Sequence, residues 1–187
     1  IKNYPKIAEN LNKNNLPITQ KNIETVLKVL DTFDTIKDIN DNNISFILQN
    51  EPKEITLNDI YISKHSNLLE ENNTEEKLSK EVLEDLKLEL PKVLKDQNIE
   101  NSSKNIDISH FLLKNQIPIT NRAINSTIFL KDISQNISKE SLILGTINNI
   151  KKDINPLDIT LFDDNDLNKE NLRLTYKEII KDINNIT

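Results

Sequence analysis

The segment Asn14-Asn15-Leu16-Pro17-Ile18-Thr19 has a close counterpart 101 residues later, in Asn115-Gln116-Ile117-Pro118-Ile119-Thr120. A second pair follows in the same order, Ile55-Thr56-Leu57-Asn58-Asp59 and Ile159-Thr160-Leu161-Phe162-Asp163, and its members lie 104 residues apart. Two anchors that recur in order, separated by a short insertion, indicate a duplicated structural unit. We therefore expect an internal duplication, with two related units in one chain.

Each repeated segment has the sequence pattern of a helix start. A threonine hydroxyl at an N-cap can accept a hydrogen bond from an unpaired backbone N–H of the first turn. This assignment predicts structural caps at four threonines: Thr19, Thr56, Thr120 and Thr160. At the first three, an isoleucine stands just before the threonine and another four positions after it, which is the spacing of a hydrophobic staple. Thr160 lacks the second isoleucine, because Asp164 stands in its place.

The residues that follow the caps have helical periodicity. Apolar side chains recur three and four positions apart after the first cap, at Ile23, Val26, Leu27, Leu30 and Phe33. The pattern predicts an all-α fold, with three or four short helices in each unit. A strand at 54–57 or at 158–162 is the alternative for those two segments. Because the chain has a single glycine, Gly145, we expect asparagine to take the left-handed positions at helix ends.

Charge and periodicity divide the chain into three parts: a first helical repeat unit at 1–66, an acidic loop with a connector helix at 67–104, and a second repeat unit with a C-terminal helix at 105–187. The connector helix is predicted over 76–95, and Pro91 should kink or end it. Its apolar residues recur every four positions, at Leu78, Val82, Leu86 and Leu90. This amphipathic face either bridges the two units or docks a protein partner.

The C-terminal helix is predicted from another apolar face. Its members are Leu172, Tyr176, Ile179, Ile180, Ile183 and Ile186.

Composition excludes several classes of function. No cysteine is present, so thiolate catalysis and thiolate metal sites are excluded, and one glycine cannot supply a nucleophile elbow or a phosphate-binding loop. The net charge of −6 comes without a basic stripe, which makes nucleic acid a poor partner; a helix-turn-helix at 10–30 remains a disfavoured hypothesis. No apolar run approaches the roughly 18 residues of a membrane span. We expect no cofactor, no metal and no catalytic residue.

Two histidines, His65 and His110, are the remaining candidates for chemistry. Neither has a partner at metal-ligand spacing, so we interpret both as boundary residues. The alternative is an enzyme of unknown type with a site between the two units that uses both histidines. An EF-hand beginning at Asp163 fails, because Asn168 and Leu174 stand where the loop needs glycine and glutamate.

The string Leu-Pro-Ile-Thr-x-x-Asn-Ile at 16–23, with Ile-Thr-Leu-x-Asp-Ile at 55–60, resembles repeats in uncharacterised proteins of low-GC Gram-positive bacteria, some of them encoded among flagellar genes. The resemblance covers 10–66 well and 105–164 partially, since Ala123 replaces the asparagine and Asp164 the last isoleucine. It implies a shared fold and transfers no functional residue. The favoured hypothesis is a non-catalytic structural or protein–protein interaction module of a larger bacterial protein, cytoplasmic and flagellum-associated.

Overall fold

The computed structural model describes residues 2–66 and 79–163 together with Ile183. Over these ranges the chain is mostly helical, with nine helices and two short strands, so the prediction of an all-α fold is confirmed. The elements in chain order are α1 (Tyr4–Lys13), α2 (Gln20–Ile36), α3 (Asp41–Leu48), β1 (Glu54–Thr56), α4 (Leu57–His65), α5 (Lys80–Asp96), α6 (Ser103–Lys114), α7 (Asn121–Lys131), α8 (Ile133–Asn136), α9 (Lys139–Lys151) and β2 (Thr160–Asp163).

Three of the four predicted threonines cap helices. Thr19, Thr56 and Thr120 have extended backbones, and each hydroxyl accepts a hydrogen bond from the N–H three residues later, at 3.2, 3.2 and 3.1 Å. These bonds satisfy donors that the first helical turn leaves without an intrahelical partner. The staple isoleucines differ in environment: Ile55 is buried, whereas Ile18 is 51% exposed. The first staple therefore contributes less apolar burial than the second.

The helices that precede the two Pro-Ile-Thr segments end in the same way. Asn15 and Gln116 both have a φ of 57°, in the left-handed region, although neither is glycine. The next amide, of Leu16 or Ile117, donates back to a carbonyl five residues earlier at 2.9 Å in both places. This is the closing bond of a Schellman motif. The same bond ends α5 at Ile99 and α9 at Ile154, so it is a general helix end in this chain, and the internal duplication stays a prediction.

A small antiparallel sheet joins the two repeated Ile-Thr-Leu segments. Ile55 lies opposite Phe162, and Thr56 lies opposite Thr160 across an irregularity in the ladder. The alternative of a strand at each of these segments is therefore correct, at 54–56 and 160–163. The long-range pairing spans the two predicted units.

The predicted cap at Thr160 is wrong. Thr160 lies inside β2, and its hydroxyl donates to Glu54 Oε2 at 3.2 Å. The extended backbone lets Phe162 pair with Ile55 and places its ring 5.0 Å from the ring of Phe129. Because the staple isoleucine is missing after Thr160, a helix that began there would bury less apolar surface than the strand does.

The second half of the chain also completes the start of α4. The Leu57 N–H donates to the Ile159 carbonyl at 3.0 Å, and the Asn58 N–H donates to the Leu157 carbonyl at 2.9 Å. The Asp59 N–H donates to the Thr56 hydroxyl. All three N–H groups at the beginning of α4 are thus satisfied, two of them by distant carbonyls.

The apolar core is continuous across the predicted boundaries. One buried cluster contains Ile7 and Leu11 of α1, Leu94 of α5, and Ile143 and Ile147 of α9. Helix α9 packs against α1 and α2, and α3 packs against α7. The three-part division at 1–66, 67–104 and 105–187 stays a prediction, and the core does not separate at its borders.

Two other predictions concern the connector and the C-terminus. Helix α5 does not end at Pro91, because it continues to Asp96 with the proline inside. The acidic loop at 67–76 lies outside the described residues. So does the predicted C-terminal helix, except for Ile183, which is helical and 56% exposed.

Candidate functional site

Helix α5 has two halves with different environments. Leu90 and Leu94 are 1% and 0% exposed, and the helix packs against α6. In contrast, residues 80–89 include no buried side chain. Val82 and Leu86 are 43% and 37% exposed in this N-terminal half. The helix is therefore anchored at its C-terminal end and presents apolar side chains at the other.

Val82, Leu83 and Leu86 form what we call the α5 surface. Residues four and three positions apart share a helix face, and Leu83 beside them is half-buried. Two members of the predicted docking set do not belong to it. Leu90 is wrong as a docking residue, because its side chain is buried in the interior and no partner can reach it. Leu78 lies outside the described residues.

An acidic row runs beside the α5 surface. Glu81, Asp85 and Glu89 stand four residues apart, each one position before an apolar residue at 82, 86 and 90. All three are exposed. Ser79 caps the helix, and its hydroxyl accepts a hydrogen bond from the Val82 N–H at 3.3 Å. Glu81 in the first turn interacts favourably with the positive end of the helix dipole. The surface thus combines apolar groups with negative charge.

A cleft of about 460 Å³ lies between the end of α3 and the start of α7. Leu48, Pro52 and Ile117 supply apolar walls, and Thr120 stands at the helix start. The sequence signal for this cleft is small. Asn22 donates to the Pro17 carbonyl at 2.9 Å in the first repeated segment, and alanine replaces it in the second. Because Ala123 lacks that side-chain amide, less side-chain volume fills the space at the start of α7.

The two histidines have different surroundings. His65, in the last turn of α4, stacks on the Tyr61 ring at 4.0 Å, and its Nδ1 lies 2.8 Å from the Tyr61 carbonyl oxygen. Its helix packs against α2 and α3. His110 is half-buried on α6, which packs against α5 and α7. His65 therefore lies at a helix end, whereas His110 lies within α6 rather than at a boundary. The enzyme hypothesis that uses both histidines stays a hypothesis.

Within residues 2–66 and 79–163, no group of three or more His, Cys, Asp or Glu side chains is placed to hold a metal ion. No helix in the same part of the chain is long and apolar enough to cross a membrane.

A comparison with known families identifies the family of this chain. Residues 1–182 match a family of unknown function, DUF6240. The chain belongs to this family. Neither the curated proteins nor the solved structures gave a match. The DUF6240 match spans both repeated segments and α5, but the family description names no activity, so no residue role transfers from it.

In this DUF6240 member, Val82 and Leu86 of the α5 surface are exposed apolar residues on a helix whose C-terminal end is buried. The sequence predicted Val82 and Leu86 from their spacing. It did not predict the cleft beside α7, because its walls come from segments about 70 residues apart that only the fold brings together.

Proposed function

We propose that the chain is a non-catalytic structural or protein-interaction module of a larger bacterial protein, and that it receives its protein partner on the α5 surface. The observation that supports this is the division of α5, which buries Leu94 in the core and leaves Val82 and Leu86 at solvent. Exposed apolar residues scattered singly are ordinary. A contiguous face on a helix that is anchored at one end is a docking geometry.

The physical gain comes from removing that face from water. Burial of apolar surface contributes about 25 cal/mol per Å². A partner helix that lays its own apolar stripe along α5 would use the helix-in-groove mode of recognition. The acidic row at Glu81, Asp85 and Glu89 favours a partner with basic residues beside its apolar stripe.

The location and process follow from the resemblance rather than from the geometry. The Leu-Pro-Ile-Thr repeats support a bacterial protein of the low-GC Gram-positive group that is associated with the flagellum, and a cytoplasmic location is a separate part of this proposal. This part of the proposal is tested by the identity of the partner.

The experiment is site-specific photo-cross-linking in the native host. A photoreactive amino acid replaces Leu86 in the full-length protein, and the matched control replaces Leu88, which is 81% exposed on a different side of the same helix. We expect Leu86 to give a discrete adduct that Leu88 does not give, and mass spectrometry identifies it. Identical adducts from both positions, or none from Leu86, would overturn the assignment of the surface.

A further inference from the structure

We infer that the cleft between the end of α3 and the start of α7 binds a small apolar carboxylate. We call it the α7 cleft, and Leu48, Pro52, Ile117, Thr120 and Ser126 are among the residues that line it. The ligand would place its carboxylate toward the start of α7 and its hydrocarbon body against the end of α3. The α7 cleft lies apart from the α5 surface, so this site goes beyond the interaction module proposed above.

The first observation is a buried hydroxyl group that the fold leaves without a hydrogen bond. Ser126 lines the α7 cleft and is only 2% exposed. Among the residues that the structure describes, none bonds to its hydroxyl. Thr25, 101 residues earlier, instead donates its hydroxyl to the Lys21 carbonyl at 2.8 Å. Buried polar side chains are nearly always paired, so the Ser126 hydroxyl is free to donate to a bound molecule.

The second observation is the start of α7, which also lines the cleft. The Ala123 N–H donates to the Thr120 hydroxyl at 3.1 Å, and the Ile124 N–H donates to the Thr120 carbonyl at 3.0 Å. The Asn121 N–H precedes both and has no acceptor within the described part of the chain. A helix start with an unpaired N–H carries partial positive charge and favours an anion.

The charged side chains of the α7 cleft give a small positive balance. Among its described lining residues, Lys53 and Arg122 oppose one acid, Glu51. Arg122 already has an interaction in the fold, so the preference for an anion depends on Lys53 and the helix start. A balance of one positive charge suits a singly charged carboxylate better than a doubly charged phosphate.

The other walls of the α7 cleft are apolar and determine the body of the ligand. Leu48 and Ile117 are buried residues, and Pro52 lies beside them in the lining. The volume of about 460 Å³ is within the range of small-molecule pockets, about 300–1,000 Å³. An inorganic anion would leave these walls in contact with water, whereas a hydrocarbon body removes them from it.

The experiment is a titration of the isotopically labelled full chain with hexanoate, followed by amide chemical shifts in nuclear magnetic resonance. The matched ligands are 1-hexanol, which has the same chain without a charge, and hexylammonium, which has the opposite charge. We expect hexanoate to shift the amides of Lys53, Asn121 and Ser126 in a saturable manner. It should bind about fivefold more tightly than 1-hexanol, the effect of one favourable charge at a helix start, and hexylammonium should bind most weakly.

Three variants test the roles of the residues, and thermal unfolding checks that each one folds. Ser126→Ala should weaken hexanoate binding about tenfold, the loss expected for one hydrogen bond to a charged group. Thr25→Ala is the matched control, because that hydroxyl bonds its own helix, and it should leave the affinity unchanged. Ala123→Asn introduces the amide that Asn22 carries in the first repeated segment, so it should fill the cleft and abolish binding.

Four results would overturn the inference. Equal affinities for hexanoate and 1-hexanol would refute the carboxylate. Shifts confined to α5, or no saturable shift at the three amides, would refute the site. Unchanged binding in Ser126→Ala would show that water satisfies this hydroxyl, and unchanged binding in Ala123→Asn would place the ligand elsewhere. The photo-cross-link at Leu86 involves none of these residues, so the two proposals fail separately.

Discussion

Gly145 lies within α9 and faces Ile159, the residue just before β2, so Gly145→Ala tests how closely α9 packs against the repeated Ile-Thr-Leu segment. A Cβ at this position would stand 2.7 Å from Ile159 Cγ2, closer than carbon atoms can approach. Ile159 cannot retreat freely, because its carbonyl accepts a hydrogen bond from the Leu57 N–H. The added methyl group therefore has to displace packed atoms.

Two effects of opposite sign decide the result. Replacing glycine by alanine inside a helix favours folding by about 1 kcal/mol. Overpacking a core opposes folding by about 1–3 kcal/mol. We expect Gly145→Ala to lower the free energy of unfolding by about 1 kcal/mol, which corresponds to a fall in Tm of about 2–4 °C for a chain of this size. In a chain that already carries Ile159→Ala, the clash is absent, and Gly145→Ala should instead stabilise by about 1 kcal/mol.

The measurement is urea and thermal unfolding of the two single variants, the double variant and the parent, analysed as a double-mutant cycle. Asn148→Ala, at an exposed position of the same helix, is the matched control and should be neutral or slightly stabilising. The reasoning fails if Gly145→Ala stabilises the parent chain as much as it stabilises the Ile159→Ala chain, because the coupling between the two residues would then be zero.

Three further predictions concern caps, core and buried hydrogen bonds, each measured by the same unfolding assays. Thr120→Ala removes an N-cap and should lower the free energy of unfolding by about 1 kcal/mol. Thr160 is an exposed strand residue, so Thr160→Ala should lower it by less than about 0.5 kcal/mol. Equal losses would contradict the assignment of a cap to Thr120 and of a strand position to Thr160. Leu94→Ala should lower the free energy of unfolding by about 2–5 kcal/mol, whereas Leu88→Ala should change it by less than about 0.5 kcal/mol. A larger loss for Leu88→Ala would mean that this side of α5 is also covered. Asn43→Ala should lower the free energy of unfolding by about 1–3 kcal/mol, because it breaks the capping box of α3 and removes the 3.0 Å hydrogen bond to the buried Ser63 carbonyl of α4. A neutral result would show that this carbonyl finds another donor.

Sequence patterns predicted what local interactions decide. The caps at Thr19, Thr56 and Thr120 depend on a hydroxyl and an N–H three residues away, so spacing alone identifies them. The lack of glycine predicted the left-handed backbone at Asn15 and Asn98, but Glu51, Gln116 and Asp153 adopt the same backbone without being asparagine.

The two Ile-Thr-Leu segments show where local patterns stop. Ile55-Thr56-Leu57 leads into a helix, while Ile159-Thr160-Leu161 continues as a strand, although the three residues are the same. They differ locally in the staple position, which is Ile60 after Thr56 and Asp164 after Thr160. They differ also in the contact of Phe162 with Phe129, which depends on tertiary packing. A prediction that treats equal strings alike has to be wrong for one of them.

The candidate docking residues show a similar limit. Val82, Leu86 and Leu90 are equivalent by period, since each follows the last by four positions. The fold makes them unequal, because Leu90 is buried whereas Val82 and Leu86 are exposed. Periodicity identifies the apolar face of a helix, but the position along the axis at which it leaves the core depends on the neighbouring elements.

The distant carbonyls at the start of α4 also have a consequence for synthesis. Ribosomes add about 5–20 residues per second, so on the order of 5–20 s separates the appearance of Leu57 from that of Leu157 and Ile159. Throughout that interval the Leu57 and Asn58 amides lack their two carbonyl acceptors, and the nascent first half carries an incomplete helix end. The rate of translation across the second half of the chain therefore determines how long the first half remains without the two carbonyls that complete the start of α4.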